Sequence, residues 1–195
     1  MKYTLPALFI LLLLDSCKTE LTQNEIEWIP YQKGEMLVFE SSNFERDSFY
    51  ISDITSSKLY KREIRTVECQ YFQKAKDNSE KLDTIKTFLM ALTANKESNT
   101  VMSLNVGRKF ALFAPFMAKR LTQLDSMQRT SIEINNRTYS DIIILEPDNA
   151  HPEYLKYAND SLFVSKLYWS KSYGLMQFEL SNTNTIWKLS KRYSR

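Results

Sequence analysis

Apolar positions recur every second residue along much of this chain, and that spacing predicts strands with one face turned inward. Leu37 with Phe39, Phe49 with Ile51, and Val67 with Cys69 and Tyr71 fall on single faces in this way. Phe88, Met90 and Leu92 mark another run, Val101 to Val106 reads as its return strand, and Phe110, Leu112 and Ala114 as a further strand. The clearest hairpin is Ile132 to Tyr139, because Asn135-Asn136 tolerates the positive φ of a tight two-residue turn. Its second arm continues into Ile142–Leu145, a continuous apolar run that predicts a strand covered on both faces. Leu162 to Trp169, Leu175 to Leu180 and Thr185 to Leu189 read as a closing meander turned at Tyr173-Gly174 and at Ser181 to Asn184. Met176, Phe178 and Leu180 are expected on one face, and Tyr168 and Trp169 on opposite ones.

Helical spacing is scarce. Met117, Leu121 and Leu124 fit an amphipathic helix within 116–128, with a bulged strand as the alternative. The expected fold is mainly β: an antiparallel meander curled into a barrel or half-barrel, with one short helix near 116–128.

The N-terminus breaks the pattern. Leu5 to Leu14 is unbroken apolar sequence behind Lys2, too short to cross a membrane but of signal-peptide length. It ends in Leu14-Asp15-Ser16-Cys17, the form of a lipobox, with Asp15 departing from the small or β-branched residue usual there. On that reading residues 1–16 are a signal peptide cleaved between Ser16 and Cys17, and Cys17 carries the lipid. Residues 17–27 then form a lipidated start and flexible tether, 28–191 a single β-rich domain, and 192–195 a basic tail. The alternative is an ordinary secreted chain in which Cys17 follows the apolar run by chance. No aspartate follows Cys17, so the inner-membrane retention signal of enterobacteria is absent. The expected address is the cell envelope, lipid-anchored to the outer membrane by fatty-acyl chains of the palmitate type, facing either the periplasm or the cell surface.

Composition agrees with a packed globule. Hydrophobic residues make up 43% and aromatic residues 13%, enough for a real core rather than disorder. The net charge of +3 is spread along the chain, with a basic cluster only at Lys191–Arg195, so a nucleic-acid-binding face is not expected. An acylated Cys17 leaves Cys69 with no disulfide partner, and its strand position predicts a small buried core residue. His151 is the only histidine, which excludes a conventional zinc site and leaves no ready base for a thiol or serine nucleophile. Asp148 to Glu153, the one polar cluster with mixed ligand types, reads as a turn-rich loop, with a metal or acid–base role as the alternative. Three glycines are too few for a phosphate loop. No catalytic residue, metal ligand or cofactor is therefore assigned.

The lipobox, the Ile132–Leu145 hairpin, and the pair Leu167-Tyr168-Trp169-Ser170-Lys171-Ser172-Tyr173-Gly174-Leu175-Met176-Gln177-Phe178-Glu179 and Thr185-Ile186-Trp187-Lys188-Leu189 together resemble small lipoproteins of Bacteroidota. In those, a YY-S-K-x-x-G-L-x-x-F-E strand pair is followed by a strand ending W-x-L. The resemblance covers the last third of the chain and implies a family largely without assigned activity; it brings no catalytic residue. Asp83-Thr84-Ile85, Asp125-Ser126-Met127 and Asp160-Ser161-Leu162 resemble the O-glycosylation acceptor of the same bacteria.

Three functions are then in contention. The first is a membrane-anchored, non-enzymatic module binding an apolar or glycan ligand in the curve of the sheet. The second is a structural or adaptor protein that partners another envelope protein. The third is a hydrolase using carboxylates brought together in space. The aromatic residues of the last third read either as a stacking platform or cavity lining, or as β-core and cross-strand pairs.

Overall fold

The computed structural model of the chain describes residues 20–60, 62–74, 82–94, 99–106, 118–147, 163–181 and 183–194. The lipobox with Ser16 and Cys17, the Phe110–Ala114 run, the loop holding His151 and the Asp160-Ser161-Leu162 motif lie outside the described residues.

The chain is mainly β, with one antiparallel sheet curled into a half-barrel. Its strands are β1 (Met36–Ser41), β2 (Arg46–Leu59), β3 (Arg62–Lys74), β4 (Leu82–Thr93), β5 (Val101–Leu104) and β6 (Lys119–Arg120). They continue as β7 (Thr130–Ile134), β8 (Arg137–Leu145), β9 (Val164–Ser170), β10 (Gly174–Leu180) and β11 (Ile186–Tyr193). Two short helices, α1 (Gln23–Ile26) and α2 (Leu121–Ser126), complete the described elements.

The sheet order is β6-β5-β4-β3-β2-β1-β11-β10-β9-β8-β7. Two meanders thus meet at a seam where the first and last strands pair, with Met36 opposite Tyr193 and Ser41 opposite Trp187. The sheet's edges, β6 and β7, are consecutive in sequence, and α2 links them. Bulges interrupt the pairing of β2 with β3, β3 with β4, β9 with β10 and β1 with β11. Each bends its strand and adds twist, which is how so wide a sheet curls instead of lying flat.

The predicted inward residues Leu37, Phe39, Phe49, Ile51, Val67 and Cys69 are all buried in the concave core. Cys69 is a thiol there, outside any disulfide. The Asn135-Asn136 turn forms as expected, with φ of 51° and 59°. The apolar run of β8 is covered on both sides: Ile143 and Leu145 enter the concave core, and Ile142 enters a second cluster on the outer face with Ile134 and Met176.

Four expectations are corrected. Met176 does not share a face with Phe178 and Leu180, because a bulge between Leu175 and Gln177 sends Met176 outward and returns Phe178 to the core. The expected helix at 116–128 is confined to Leu121–Ser126, preceded by the short strand Lys119–Arg120, and buries Leu121 and Leu124. Residues 20–27, expected to end a flexible tether, are ordered: Leu21 joins the core and α1 follows it. Arg192, assigned to a solvated basic tail of residues 192–195, lies within β11 and is held by Glu35.

Among the described residues, apolar side chains line the curve of the sheet. Leu21, Trp28 and Tyr31 from the N-terminal segment and Leu121 and Leu124 from α2 fill it against the strands. Phe39 lies 5.0 Å from Phe49 and 5.5 Å from Phe178, and the Phe178 and Trp187 rings stack at 5.8 Å. These aromatics are core and cross-strand pairs.

Candidate functional site

Among the described residues, the strongest candidate for a binding surface is on the outer face, at the tip of the β7–β8 hairpin. Asn135 and Asn136 hold the turn in the left-handed region, and the Asn135 side-chain amide donates to the Ser190 carbonyl at 2.8 Å. That bond pins the hairpin tip over β11. Ser190 sits at the bulge of the β1–β11 seam, and its hydroxyl donates to the Val38 carbonyl at 3.1 Å. Between tip and seam lies a groove of about 320 Å³ lined by Glu40, Glu133, Ile134, Asn135, Lys188 and Ser190. Glu40 and Lys188 are direct cross-strand neighbours, and Glu40 also faces Arg46 at 3.5 Å. Two carboxylates, an ammonium, an amide and a hydroxyl thus converge on one open polar hollow.

Beside it the outer face carries a tyrosine–arginine cluster. Tyr139 and Tyr173 meet edge to face at 5.1 Å, and the Arg137 guanidinium lies 5.4 Å and 5.9 Å from their rings. Tyr168, also outward, donates to Glu179 at 2.5 Å; burial and that neighbouring carboxylate push the pKa of its hydroxyl up to about 12. It stays protonated throughout the neutral range and acts as a donor, not as a base.

On the concave side the N-terminal segment crosses from one flank of the sheet to the other. The Leu21 amide donates to Glu63 at 2.9 Å, and the Lys58 ammonium bonds Glu20 at 2.9 Å. Thr22 begins α1, and the Glu25 carboxylate accepts from its amide and hydroxyl, each at 2.8 Å. Trp28 then lies under Lys171 and Arg129, at 5.5 Å and 5.9 Å, and Tyr31 meets Trp169 edge to face at 6.0 Å. The Tyr31 hydroxyl accepts the Leu175 amide at 2.8 Å, and burial raises its pKa far above the ordinary phenol value. Arg192 stacks over the same ring at 5.5 Å and grips Glu35 with Nη2 at 2.8 Å and 3.0 Å from the two carboxylate oxygens. Its donors also reach the carbonyls of Pro30 and Tyr173. This buried set is a structural lock.

The Leu21 amide lowers the Glu63 carboxyl below its ordinary 4.5, with Ser56 and Arg65 assisting. A carboxyl lowered by folding stabilises the folded state fully above its ordinary value, and that contribution is lost as the pH falls through the lowered one. Glu63→Gln should therefore unfold roughly 2–4 °C below wild type at neutral pH, about 1 kcal/mol. Melting curves across pH check the sign: the gap should close progressively on acidification below 4.5.

Sequence reasoning placed Cys69 and the hairpin turn correctly, but it missed the groove and the lock. Thr22-Gln23-Asn24-Glu25 was a legible capping-box signal for α1. Nothing local marked Glu40 and Glu133 as neighbours of one hollow. Among the described residues no group of three His, Cys, Asp or Glu side chains could hold a metal ion. Among the same residues no helix is long and apolar enough to cross a membrane. Of the acceptor-like tripeptides, Asp125 and Ser126 are exposed at the end of α2, and Asp83-Thr84-Ile85 lies in β4. Compared with known proteins, the chain matches no family model, no curated protein and no solved structure.

Proposed function

We propose that this protein is a lipid-anchored, non-enzymatic binding module of the cell envelope, resembling small Bacteroidota lipoproteins, and that its ligand is a glycan. The observation that supports this choice is where polar groups and open space coincide. The described part of the concave face is lined by the chain's own apolar side chains, with Leu21, Trp28, Tyr31, Leu121 and Leu124 laid against the strands. The outer groove offers Glu40, Glu133, Asn135, Lys188 and Ser190 around an open hollow. Convergent charged and neutral hydrogen-bonding groups match hydroxyl-rich ligands, whose many donors and acceptors need partners when water is displaced. The lipobox supports the address, with Cys17 as the acylated residue and Ser16 as the last residue removed.

An adaptor role is the second reading, favoured by β7. It ends the sheet order, and its Thr130, Ser131 and Glu133 are exposed. A partner adding a strand there would gain main-chain hydrogen bonds.

Two measurements test the proposal. Cys17→Ser should leave the protein without acyl mass and move it from membrane to soluble fractions; an unchanged distribution would remove the anchor. On an array of bacterial surface glycans, Lys188→Ala and Glu133→Ala should each weaken retention about tenfold, the value of one charged hydrogen bond. Their melting temperatures should not move. Retention of no glycan by the acylated wild type, together with in-cell crosslinks through β7, would favour the adaptor.

A further inference from the structure

The β2–β3 hairpin ends in the two most out-of-place side chains on that flank of the molecule. Leu59 is 54% exposed and Tyr60 89% exposed, at the end of a stalk whose outer residues Ser56, Ser57 and Lys58 are polar. Tyr60 also holds a positive φ of 50°, a conformation that costs a bulky residue and costs glycine nothing. Leu59 pairs with Arg62, so the positive φ at Tyr60 belongs to a tight two-residue hairpin turn, whereas the exposure of Leu59 and Tyr60 is not explained by the packing of the domain.

The place where the N-terminal chain leaves the domain supplies the explanation. Lys58 bonds Glu20, and Glu63 accepts the Leu21 amide, so residues 20 and 21 are fastened to the two arms of this same hairpin near its tip. Cys17 is three residues further on, and three residues of extended chain reach at most about 11 Å. Whatever surface holds a lipid on Cys17 is therefore brought close to Leu59 and Tyr60. By sequence the tip and its surroundings are basic, with Lys58, Lys61, Arg62 and Arg65 set against Glu20 and Glu63. Attraction of these cations to anionic lipid therefore acts together with burial of the two apolar side chains. Tyrosine suits the depth: its ring enters the acyl boundary while its hydroxyl stays among the headgroups.

We infer that the Leu59–Tyr60 tip is a second membrane contact, seated in the interface of the bilayer that carries the Cys17 lipid, so that the domain stands in one orientation on that membrane. This inference rests on the lipid anchor of the proposed function. A single flexible attachment leaves a domain free to tumble, and a second contact beside it removes that freedom. Phe44, 85% exposed in the β1–β2 turn, is the natural control. It lies beyond the other end of β2, a strand of 14 residues that spans at most about 46 Å.

The test uses the full acylated protein in vesicles of phosphatidylethanolamine and phosphatidylglycerol, with an environment-sensitive fluorophore on Tyr60→Cys or on Phe44→Cys. Cys69 is buried and shielded from the label. Tyr60 and Phe44 are both exposed, so neither substitution disturbs the core. The expected result is a blue-shifted, several-fold brighter probe at position 60 that is quenched by shallow nitroxide lipids and stays blue-shifted in molar salt, which screens the cations but not the apolar burial. The probe at position 44 should remain water-like. Adding Leu59→Asp should return the probe at 60 towards the water-like state. Intact mass separates the two ways of failing. Acyl mass on Cys17 with equally water-like probes overturns the tip contact and leaves the anchor standing, whereas a chain without acyl mass removes the anchor and this inference with it.

Discussion

Gly174→Ala should destabilise the protein by about 3–5 kcal/mol, a loss of roughly 10–15 °C in melting temperature for a domain of this size. Two independent costs add. Gly174 has a φ of +80°, in the left-handed region, where any residue with a Cβ is strained by about 1–2 kcal/mol. A Cβ at this position would also stand 2.3 Å from the Tyr31 hydroxyl oxygen and 2.5 Å from the ring carbon bearing it. Tyr31 has nowhere to retreat, since it is packed against Trp169 on one side and under Arg192 on another. Moving it would break its bond to the Leu175 amide and leave a buried donor unpaired, at about 1–3 kcal/mol. Denaturant titration of the variant checks the magnitude. A loss of only about 1–2 kcal/mol, the cost of the positive φ by itself, would mean that Tyr31 is not seated on Gly174.

Arg192→Met should cost a similar amount, about 3–5 kcal/mol, for a different reason. Glu35 is 4% exposed, and Arg192 is its ion-pair partner at 2.8 Å. Methionine keeps much of the stem's volume while removing the charge, so the variant leaves a buried carboxylate uncompensated. It also strips hydrogen bonds from the Pro30 and Tyr173 carbonyls. The pairing Glu35→Met with Arg192→Met should recover a large part of the loss, because deleting both charges removes the desolvation penalty along with the attraction. Deleting residues 192–195 probes the lock more bluntly. A solvated tail can be removed with no effect, whereas loss of the lock should lower the melting temperature by roughly 10 °C. A neutral deletion would restore the tail reading.

These two sites also show where reading the chain stopped. Gly174 was visible as a turn residue, but its partner Tyr31 stands far away in sequence, and no local pattern links them. Arg192 stood within a run of basic residues, the ordinary mark of a solvated end. The seam between β1 and β11 carries it alongside the start of β1, where Glu35 waits. The groove has the same origin. Glu40 and Lys188 become neighbours through that seam, and Glu133 joins them because the hairpin tip is tied to Ser190.

By itself the amino-acid order determined what depends on neighbours a few residues apart. Alternation at Leu37–Phe39, Phe49–Ile51 and Val67–Cys69 turned those side chains inward, the Asn135-Asn136 pair set a tight turn, and the Ile142–Leu145 run required cover on two faces. Period two and turn chemistry act locally, so they survive without knowledge of partners. Tertiary structure alone decided which strands met at the seam, where bulges reversed the faces, and what filled the curve. Met176 points outward because it is the extra residue of a bulge in β10, with no partner on β9, and Trp28 is buried because the sheet curls around it. Both outcomes arise from surfaces brought together by the curl, and burial against a distant surface leaves no period in the segment that is buried.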